Sequence, residues 1–461
     1  MVLINIIVWN KYSWIKAPQS VLDSISEYLS YPVKNSHYTT SGKEKVSLLT
    51  FKNAFKTGFL KGVMKIVVDS GYEFTIEDKR NNRFVVEEVI TELPTGTLRD
   101  YQKDSVKEIF PNTRMVWYRG VGKAASGAGK NWIIGCVVKT VEPYSKVLIT
   151  VHRRELFKQL YEFLTECGIK VSRYGNYKNK IYKELGDVTL CMYTTMAPNI
   201  TNADVQLFLP TVGTIIVDEC HRATAKNYYE VLKAADASCV VYLSGTPFNG
   251  EPAHDLNIIG DSGEQLVTIT NQDLIEQGVS LKPTVQMHWL NEYDNASSYD
   301  DEKFNITMSQ QRLDIIRNEI LGDLNKVVLI SVLTKEHGQH LLNQLIGLPT
   351  TVDFIYSDDP DRTEKLEDYR KGIIKVLITT EVLKEGINIP LVNTLINAAW
   401  GKSIVWVKQF VGRLLRNDGI NTTCTILDFV DVGHNTKDQS LVRYALYQAE
   451  GFEIINNKYG N

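Results

Sequence analysis

The stretch Ala124-Ala125-Ser126-Gly127-Ala128-Gly129-Lys130-Asn131 sets small residues, two of them glycine, and a lysine directly ahead of the apolar run Trp132–Val138. A glycine-rich loop feeding a helix points backbone N–H groups, and the helix's positive end, at a phosphate. Lys130 opens that helix and can reach β- and γ-phosphates, with Ser126, Gly127, Ala128 and Gly129 around them. The strict motif has Gly first and Ser or Thr last; here Ala124 and Asn131 stand in those places. A plain turn before a core helix would give the same pattern, so the loop needs a partner. Thr214–Val217 is an apolar run that reads as a buried strand and delivers Asp218-Glu219-Cys220-His221 at its end, where α/β sheets place their chemistry. Asp218 would hold Mg²⁺, and Glu219 would orient and deprotonate an attacking water. An acidic pair alone is usually solvated surface. Behind a phosphate loop, it predicts a nucleotide hydrolase.

The elements that must position these groups follow the same grammar. Leu98–Gln102 leads into an amphipathic helix through Phe110. Lys146–Val151 is strand-like and runs into His152-Arg153-Arg154 and a helix to Leu164. Val188–Tyr193 ends in Thr194-Thr195, and Cys239–Leu243 ends in Ser244-Gly245-Thr246-Pro247. Strands alternating with helices around a phosphate loop predict an α/β parallel sheet covered on both faces. Hydroxyls and arginines at strand ends suit phosphates of either nucleotide or nucleic acid. The second half repeats the pattern without a phosphate loop. Lys326–Leu333, Thr351–Ile355, Lys375–Thr379, Thr394–Ile396 and Thr423–Asp428 read as strands, and Glu336–Ile346 and Thr363–Lys371 as helices. Arg413 and Arg416 are three apart, so on a helix they share a face and could both reach a γ-phosphate.

The chain has 461 residues, enough for two to four domains, with 43% hydrophobic and 23% charged residues as in ordinary soluble globular proteins. Its net charge of −3 carries no global nucleic-acid signature, so any DNA binding must be local. Six scattered cysteines without a CxxC pair argue against zinc and a disulfide framework and fit a reducing cytoplasm. Met1–Trp9 lacks a basic leader and reads as a first strand, and no run approaches a membrane span. Residues 1 to about 90 read as a separate small α+β unit, with strands over Val2–Trp9, Lys45–Phe51, Lys65–Val68 and Tyr72–Ile76 and a helix over Ala17–Leu29. Residues 1–68 carry nine lysines against three acidic residues, interleaved with Tyr38, Phe51, Phe55 and Phe59. Such a module suits phosphate-backbone contact through Lys43, Lys45, Lys52 and Lys56. A solvated lysine face over an aromatic core reads equally well. Deleting this unit is expected to leave a folded motor, and Thr91–Gly96 is expected to be a linker.

As an ordered set these motifs resemble the superfamily 2 helicases. The set comprises Arg99-Asp100-Tyr101-Gln102, the phosphate loop, Arg153–Gln159, Thr194-Thr195, Asp218–His221, Ser244–Pro247, Thr379–Pro390 and Gln409–Arg416. The resemblance spans residues ~97 to ~450 and implies two tandem RecA-like parallel-sheet domains, with ATP and Mg²⁺ between them and nucleic acid across their top. It implies boundaries of 1–92 for a small basic DNA-engaging domain, 93–270 for the first RecA-like domain, 271–282 for a hinge and 283–461 for the second. Gln102 becomes the adenine reader, with Arg99 and Tyr101 beside it. Lys130 and Asp218 become the phosphate and metal holders, and Asn131 a weakened metal ligand through its amide oxygen. Glu219 becomes the base, and Arg413 and Arg416 the γ-phosphate sensors. Gly386, Asn388 and Gln409 are implied at the nucleotide. His221, Ser244 and Thr246 couple the sites, and Arg153, Arg154, Thr194, Thr195, Thr379 and Thr380 touch DNA.

The Asp-Glu-Cys-His, Ser-Gly-Thr-Pro and Gln-x-x-Gly-Arg forms, with Gln272–Gly278 and the tail Arg443–Phe452, are similar to the phage DNA branch-migration group. The implied activity is ATP-dependent unwinding or branch migration of forked and junction DNA in phage recombination, replication or repair. The implied setting is a cytoplasm (the host's, if phage-encoded), off the membrane, alongside recombination or replication proteins. A duplex translocase that separates no strands, and an ATP-gated DNA-binding module crippled at Asn131, are the alternatives.

Overall fold

A computed structural model describes residues 3–32, 45–111, 118–224, 226–291, 296–380, 392–401 and 424–458. Lys43, Gly386, Asn388, Gln409, Arg413 and Arg416 lie outside the described residues. The chain forms two compact units, one of residues 1–124 and 128–269, the other of residues 125–127 and 270–461. Among the described residues no helix is long and apolar enough to cross a membrane.

The first unit begins with β1 (Leu3–Val8) and β2 (Tyr12–Lys16), a short ribbon of β3 (Ser30–Pro32) and β4 (Lys45–Ser47), then β5 (Ala54–Lys56) and β6 (Glu73–Asp78). The sheet order is β5-β2-β1-β6. Helices Gln19–Tyr28 and Leu60–Asp69 cover one face, burying Val21, Leu22, Ile25, Leu60, Val63 and Val67 against Ile4, Ile6, Val8 and Ile15. Lys65–Val68, expected as a strand, belongs to the second helix. Leu60, Val63 and Val67 recur at helical spacing, and burying that stripe outweighs the strand preference of a β-branched run. The expected linker is ordered too. It forms the ribbon β7 (Glu92–Leu93) and β8 (Gly96–Thr97), with Leu93 buried where a Cβ on Gly135 would stand 2.9 Å away.

The chain then builds β9 (Arg119–Ala124), β10 (Lys146–Val151), β11 (Val171–Tyr177), β12 (Lys180–Lys183), β13 (Val188–Met192), β14 (Val212–Asp218), β15 (Cys239–Ser244) and β16 (Gln265–Ile269). They lie in the order β12-β11-β13-β10-β14-β15-β9-β16, parallel except for β12. Every residue of β13, β14 and β15 is buried, as their near-continuous apolar runs require.

The basic N-terminal module is docked onto this sheet's surround rather than standing apart. Helix Pro252–Ser262 sends Leu256 and Ile259 into the module's core. Gly58 lies where a Cβ would meet the Ile259 carbonyl at 2.0 Å, so the two backbones touch. The Lys56 amine, expected on DNA, pairs with Asp261 at 2.7 Å and donates to Asn257 Oδ1 at 3.0 Å. Lys45 pairs with Glu27, while Lys52 stays exposed with its amine 5.6 Å from the Phe51 ring centroid. The positive charge counted in the sequence is thus partly spent inside the fold.

The second unit holds β17 (Pro283–Trp289), β18 (Val328–Ser331), β19 (Val352–Ile355), β20 (Val376–Thr379), β21 (Thr394–Asn397), β22 (Cys424–Val430) and β23 (Glu453–Lys458). Their order is β19-β20-β18-β21-β22-β17-β23, all parallel. Helices cover both faces. Leu313, Ile316, Leu341 and Leu345 line one side, and Leu366, Tyr369 and Tyr447 the other. Arg443, in the tail, is buried and paired with Asp428 at 2.9 Å. The two parallel-sheet domains are the tandem RecA-like pair.

Candidate active site

Parallel strands bring their C-terminal ends to one edge, and along that edge of the first sheet the chemistry collects. β9 runs into the phosphate loop, β14 into Asp218-Glu219, and β15 into Ser244. Gly127 and Gly129 have φ of +89° and +77°, the left-handed backbone that lets the loop turn into helix Lys130–Val141. There is no space for a side chain at Gly129, because a Cβ would sit 2.3 Å from Gln102 Nε2.

Gln102, expected to read adenine, spends both ends of its amide on the protein. Nε2 donates to the Ala128 carbonyl at 2.9 Å and Oε1 accepts from Arg99 N at 2.9 Å, with the side chain buried. The Tyr101 hydroxyl donates to the same Ala128 carbonyl at 3.2 Å, and the exposed Arg99 reaches Tyr101 at 3.3 Å. In this structure the trio braces the loop from behind. Ser126 and Asn131 remain partly exposed, on the loop and the helix's first turn.

The loop and the acidic pair meet directly. Lys130 Nζ lies 2.7 Å from Glu219 Oε1, in an ion pair largely shielded from solvent. Burial works against the lysine's charge, but the carboxylates of Glu219 and Asp218 outweigh it and hold its pKa above the usual range. Ser244 Oγ donates to Glu219 Oε2 at 3.1 Å and also lies 3.1 Å from His221 Nδ1. The Thr246 backbone N–H donates to that serine oxygen at 3.1 Å. Glu219 itself sits at φ +54°, a left-handed conformation costly for a residue with a Cβ. It is therefore held at its backbone and at both carboxylate oxygens. Such an arrangement can grip a phosphate through Lys130 and take a proton through Glu219.

Two family models match in tandem: the type III restriction enzyme res subunit over residues 95–249, and the helicase conserved C-terminal domain over residues 311–418. The chain is a superfamily 2 helicase. It is 23% identical to the ATP-dependent DNA helicase uvsW of Enterobacteria phage T4, over 84% of this chain and 81% of that one. A type ISP restriction-modification enzyme, LlaBIII, solved bound to DNA, aligns with a TM-score of 0.58 at 13% identity, over 86% of this chain and 36% of that one. Dbp5 of S. cerevisiae, bound to RNA and ADP BeF3, aligns with a TM-score of 0.53 at 18% identity, over 79% of this chain and 90% of that one. At these identities the likeness is one of fold, and it spans a structure bound to DNA and one bound to RNA.

A helicase of this family uses ATP, and a divalent cation is the expected companion of the triphosphate. The residues present fit one. Asp218 is buried at 3% exposure, and burial, reinforced by the Glu219 charge, pushes its pKa up to about 6. A buried carboxylate in that state gains most from a cation.

The expected nucleic-acid residues divide. Arg153 and Arg154 follow β10 and Thr194 and Thr195 follow β13, all at least partly exposed on the same sheet edge as the helicase's acidic pair. Thr379 and Thr380 are instead buried, and the Thr379 hydroxyl donates to the Thr380 carbonyl at 2.8 Å. The Thr379 hydroxyl is thus spent on the backbone at the end of β20. His254 was not marked by any sequence signal. Its Nε2 lies 3.1 Å from the His221 carbonyl, and it comes from the helix that docks the N-terminal module.

Gly129→Ala should weaken ATP binding by about tenfold or more, because the left-handed backbone alone costs an alanine ~1–2 kcal/mol. The crowding against Gln102 adds to that. Titration with a fluorescent ATP analogue checks it. Removing the crowding with Gln102→Ala in the same chain should recover only part of the loss.

Proposed function

We propose that this protein is an ATP-dependent DNA helicase that unwinds or branch-migrates forked and junction DNA, in the cytoplasm and in phage recombination, replication or repair. The observation that carries the ATPase half is the closed set of contacts from Lys130 to Glu219 to Ser244 at the edge of the first sheet. What supports DNA as the track is the relation to the phage helicase along most of both chains.

In this reading Lys130 moves from Glu219 onto the β- and γ-phosphates of ATP, which compete for its amine as anions of higher charge. Glu219, still held by Ser244 on Oε2, is freed on Oε1 to take a proton from water attacking the γ-phosphorus. His221, beside both Ser244 and Glu219, couples the ATP site to the nucleic-acid site together with Ser244 and Thr246. Asp218, with Asn131, would hold Mg²⁺, which when bound neutralises phosphate charge. Arg413 and Arg416 supply cations to the same transition state, and Gly386, Asn388 and Gln409 complete the nucleotide contacts. Arg153, Arg154, Thr194 and Thr195, all at least partly exposed, contact the DNA backbone.

The test is ATP hydrolysis with and without DNA, followed by strand separation on forks and four-way junctions. DNA-stimulated turnover together with ATP-dependent product on the gels is the expected result. Turnover with triplex displacement but no separated strands would make it a duplex translocase. DNA binding without turnover would make it an ATP-gated binding module.

A further inference from the structure

The edge of the first sheet carries a hairpin that no motif accounts for. β11 pairs with β13 from Val171↔Val188 to Tyr174↔Cys191, and β13 ends at Met192. β11 therefore continues two residues past the end of its neighbour, through Asn176 and Tyr177, before turning back into β12. At about 3.3 Å per residue that overhang is ~7 Å, with the turn beyond it. It projects from the edge that also bears Arg153 and Thr194.

The turn residues are Lys178 and Asn179, with φ of +49° and +62°. Two left-handed residues make a type I′ turn, for which Asn-Gly is the favoured pair. Asparagine is at home there, but lysine is not, so the hairpin accepts local strain to place a cation at its tip. Lys170–Lys183 contains five basic residues and no acidic one. Arg173 is neutralised by Glu184 at 3.1 Å and packed 3.8 Å from the Tyr182 ring centroid, which stiffens the base of the hairpin. Lys178 and Lys180 are exposed and form no ion pair among the described residues, with each amine 5.1 Å from a tyrosine ring centroid (Tyr177 and Tyr182). Lys183 Nζ donates to Asn199 Oδ1 at 2.8 Å, and Asn199 Nδ2 to the Thr195 carbonyl at 2.7 Å. The hairpin is thus bonded to one of the elements expected on the nucleic acid.

We propose that the Lys178–Lys180 hairpin is a nucleic-acid backbone contact, its two exposed ammonium groups each meeting a phosphate. It rests on the reading of this protein as a DNA-translocating motor and adds a contact outside the helicase motifs. Lysine over tyrosine is a preset arrangement: the ring orients the amine outward without neutralising it. Charge alone, with no base edge in reach, gives grip without sequence preference.

The experiment compares wild type with Lys178→Glu/Lys180→Glu on forked DNA, linear duplex and single strand across a range of salt. The variant should bind about tenfold more weakly at low salt. Its slope of log affinity against log salt on duplex should be shallower by up to about 1.8, roughly 0.9 per phosphate lost. Melting temperature and DNA-free ATP turnover should be unchanged. A second variant, Lys178→Asn/Asn179→Gly, keeps the turn and relieves its strain while removing one charge. It should melt at or above wild type and lose about half of the slope change. Unchanged affinity and slope on all three substrates overturn the proposal and leave the hairpin to a protein partner. A wild type that binds no DNA overturns both this contact and the functional reading beneath it.

Discussion

Glu219→Gln is expected to lower DNA-stimulated ATP turnover by about 10²–10⁴-fold, the range for removing a positioned general base, while ATP stays bound. An amide takes no proton from water, yet its oxygen still accepts from Ser244 Oγ, now 3.1 Å from Glu219 Oε2. The left-handed backbone at this position costs glutamine what it costs glutamate, so the fold should be indifferent. Nucleotide affinity should hold or rise. Lys130 loses the carboxylate it now pairs with at 2.7 Å, leaving its amine to the phosphates alone. Lys130→Ala gives the contrasting pattern, with binding and turnover falling together. Single-turnover hydrolysis alongside fluorescent-nucleotide titration separates the two. Wild-type turnover in Glu219→Gln would remove Glu219 from the chemistry and the ATPase assignment with it.

What could be read from the chain alone divides by the range of the interaction. Apolar runs flanked by turn residues located β10, β13, β14 and β15 of the first large sheet and β18 to β22 of the second, while β9, β16 and β23 were not read as strands; Thr363–Lys371 became a helix over Arg362–Arg370. The phosphate loop and acidic pair were legible because each is a local pattern whose chemistry needs adjacent residues. Contacts made across the fold left no such trace. Lys56 looked like one more surface lysine because its partner, Asp261, lies far away in sequence. Gln102 was assigned to adenine because nothing local shows that Ala128 and Arg99 occupy its amide. Thr379 and Thr380 stood at a strand end, where hydroxyls usually face out, yet both are buried. The β11–β12 hairpin escaped notice because its turn is Lys-Asn rather than Asn-Gly.

The same long-range contacts reverse one expectation. Removing residues 1–90 should not leave a folded motor but an aggregating or non-cooperatively melting chain. Helix Pro252–Ser262 would expose Leu256 and Ile259, now packed into the module's core. Each apolar side chain of that size is worth ~1.5–3 kcal/mol when fully buried, so these partly buried two contribute less than that apiece. Arg119, at the start of the strand leading to the phosphate loop, donates to the Asn10 carbonyl at 2.8 Å and the Asp261 carbonyl at 2.8 Å, and burial lowers its pKa to about 10. Without Asn10 that guanidinium loses a partner, and without Lys56 the Asp261 carboxylate loses its cation. Stranding a charge in a buried pair costs ~3–5 kcal/mol, and less in the truncated chain, where water reaches the uncovered Asp261. Together these losses take a substantial share of the ~5–15 kcal/mol that typically holds a folded protein together. Lys56→Met isolates one of them: it should lower stability by ~1–3 kcal/mol while preserving ATP turnover at low temperature. Calorimetric melting of both variants is the measurement. A truncated chain that melts cooperatively at the wild-type temperature would show the module to be an appendage, and its lysines would then be available to DNA as the sequence first suggested.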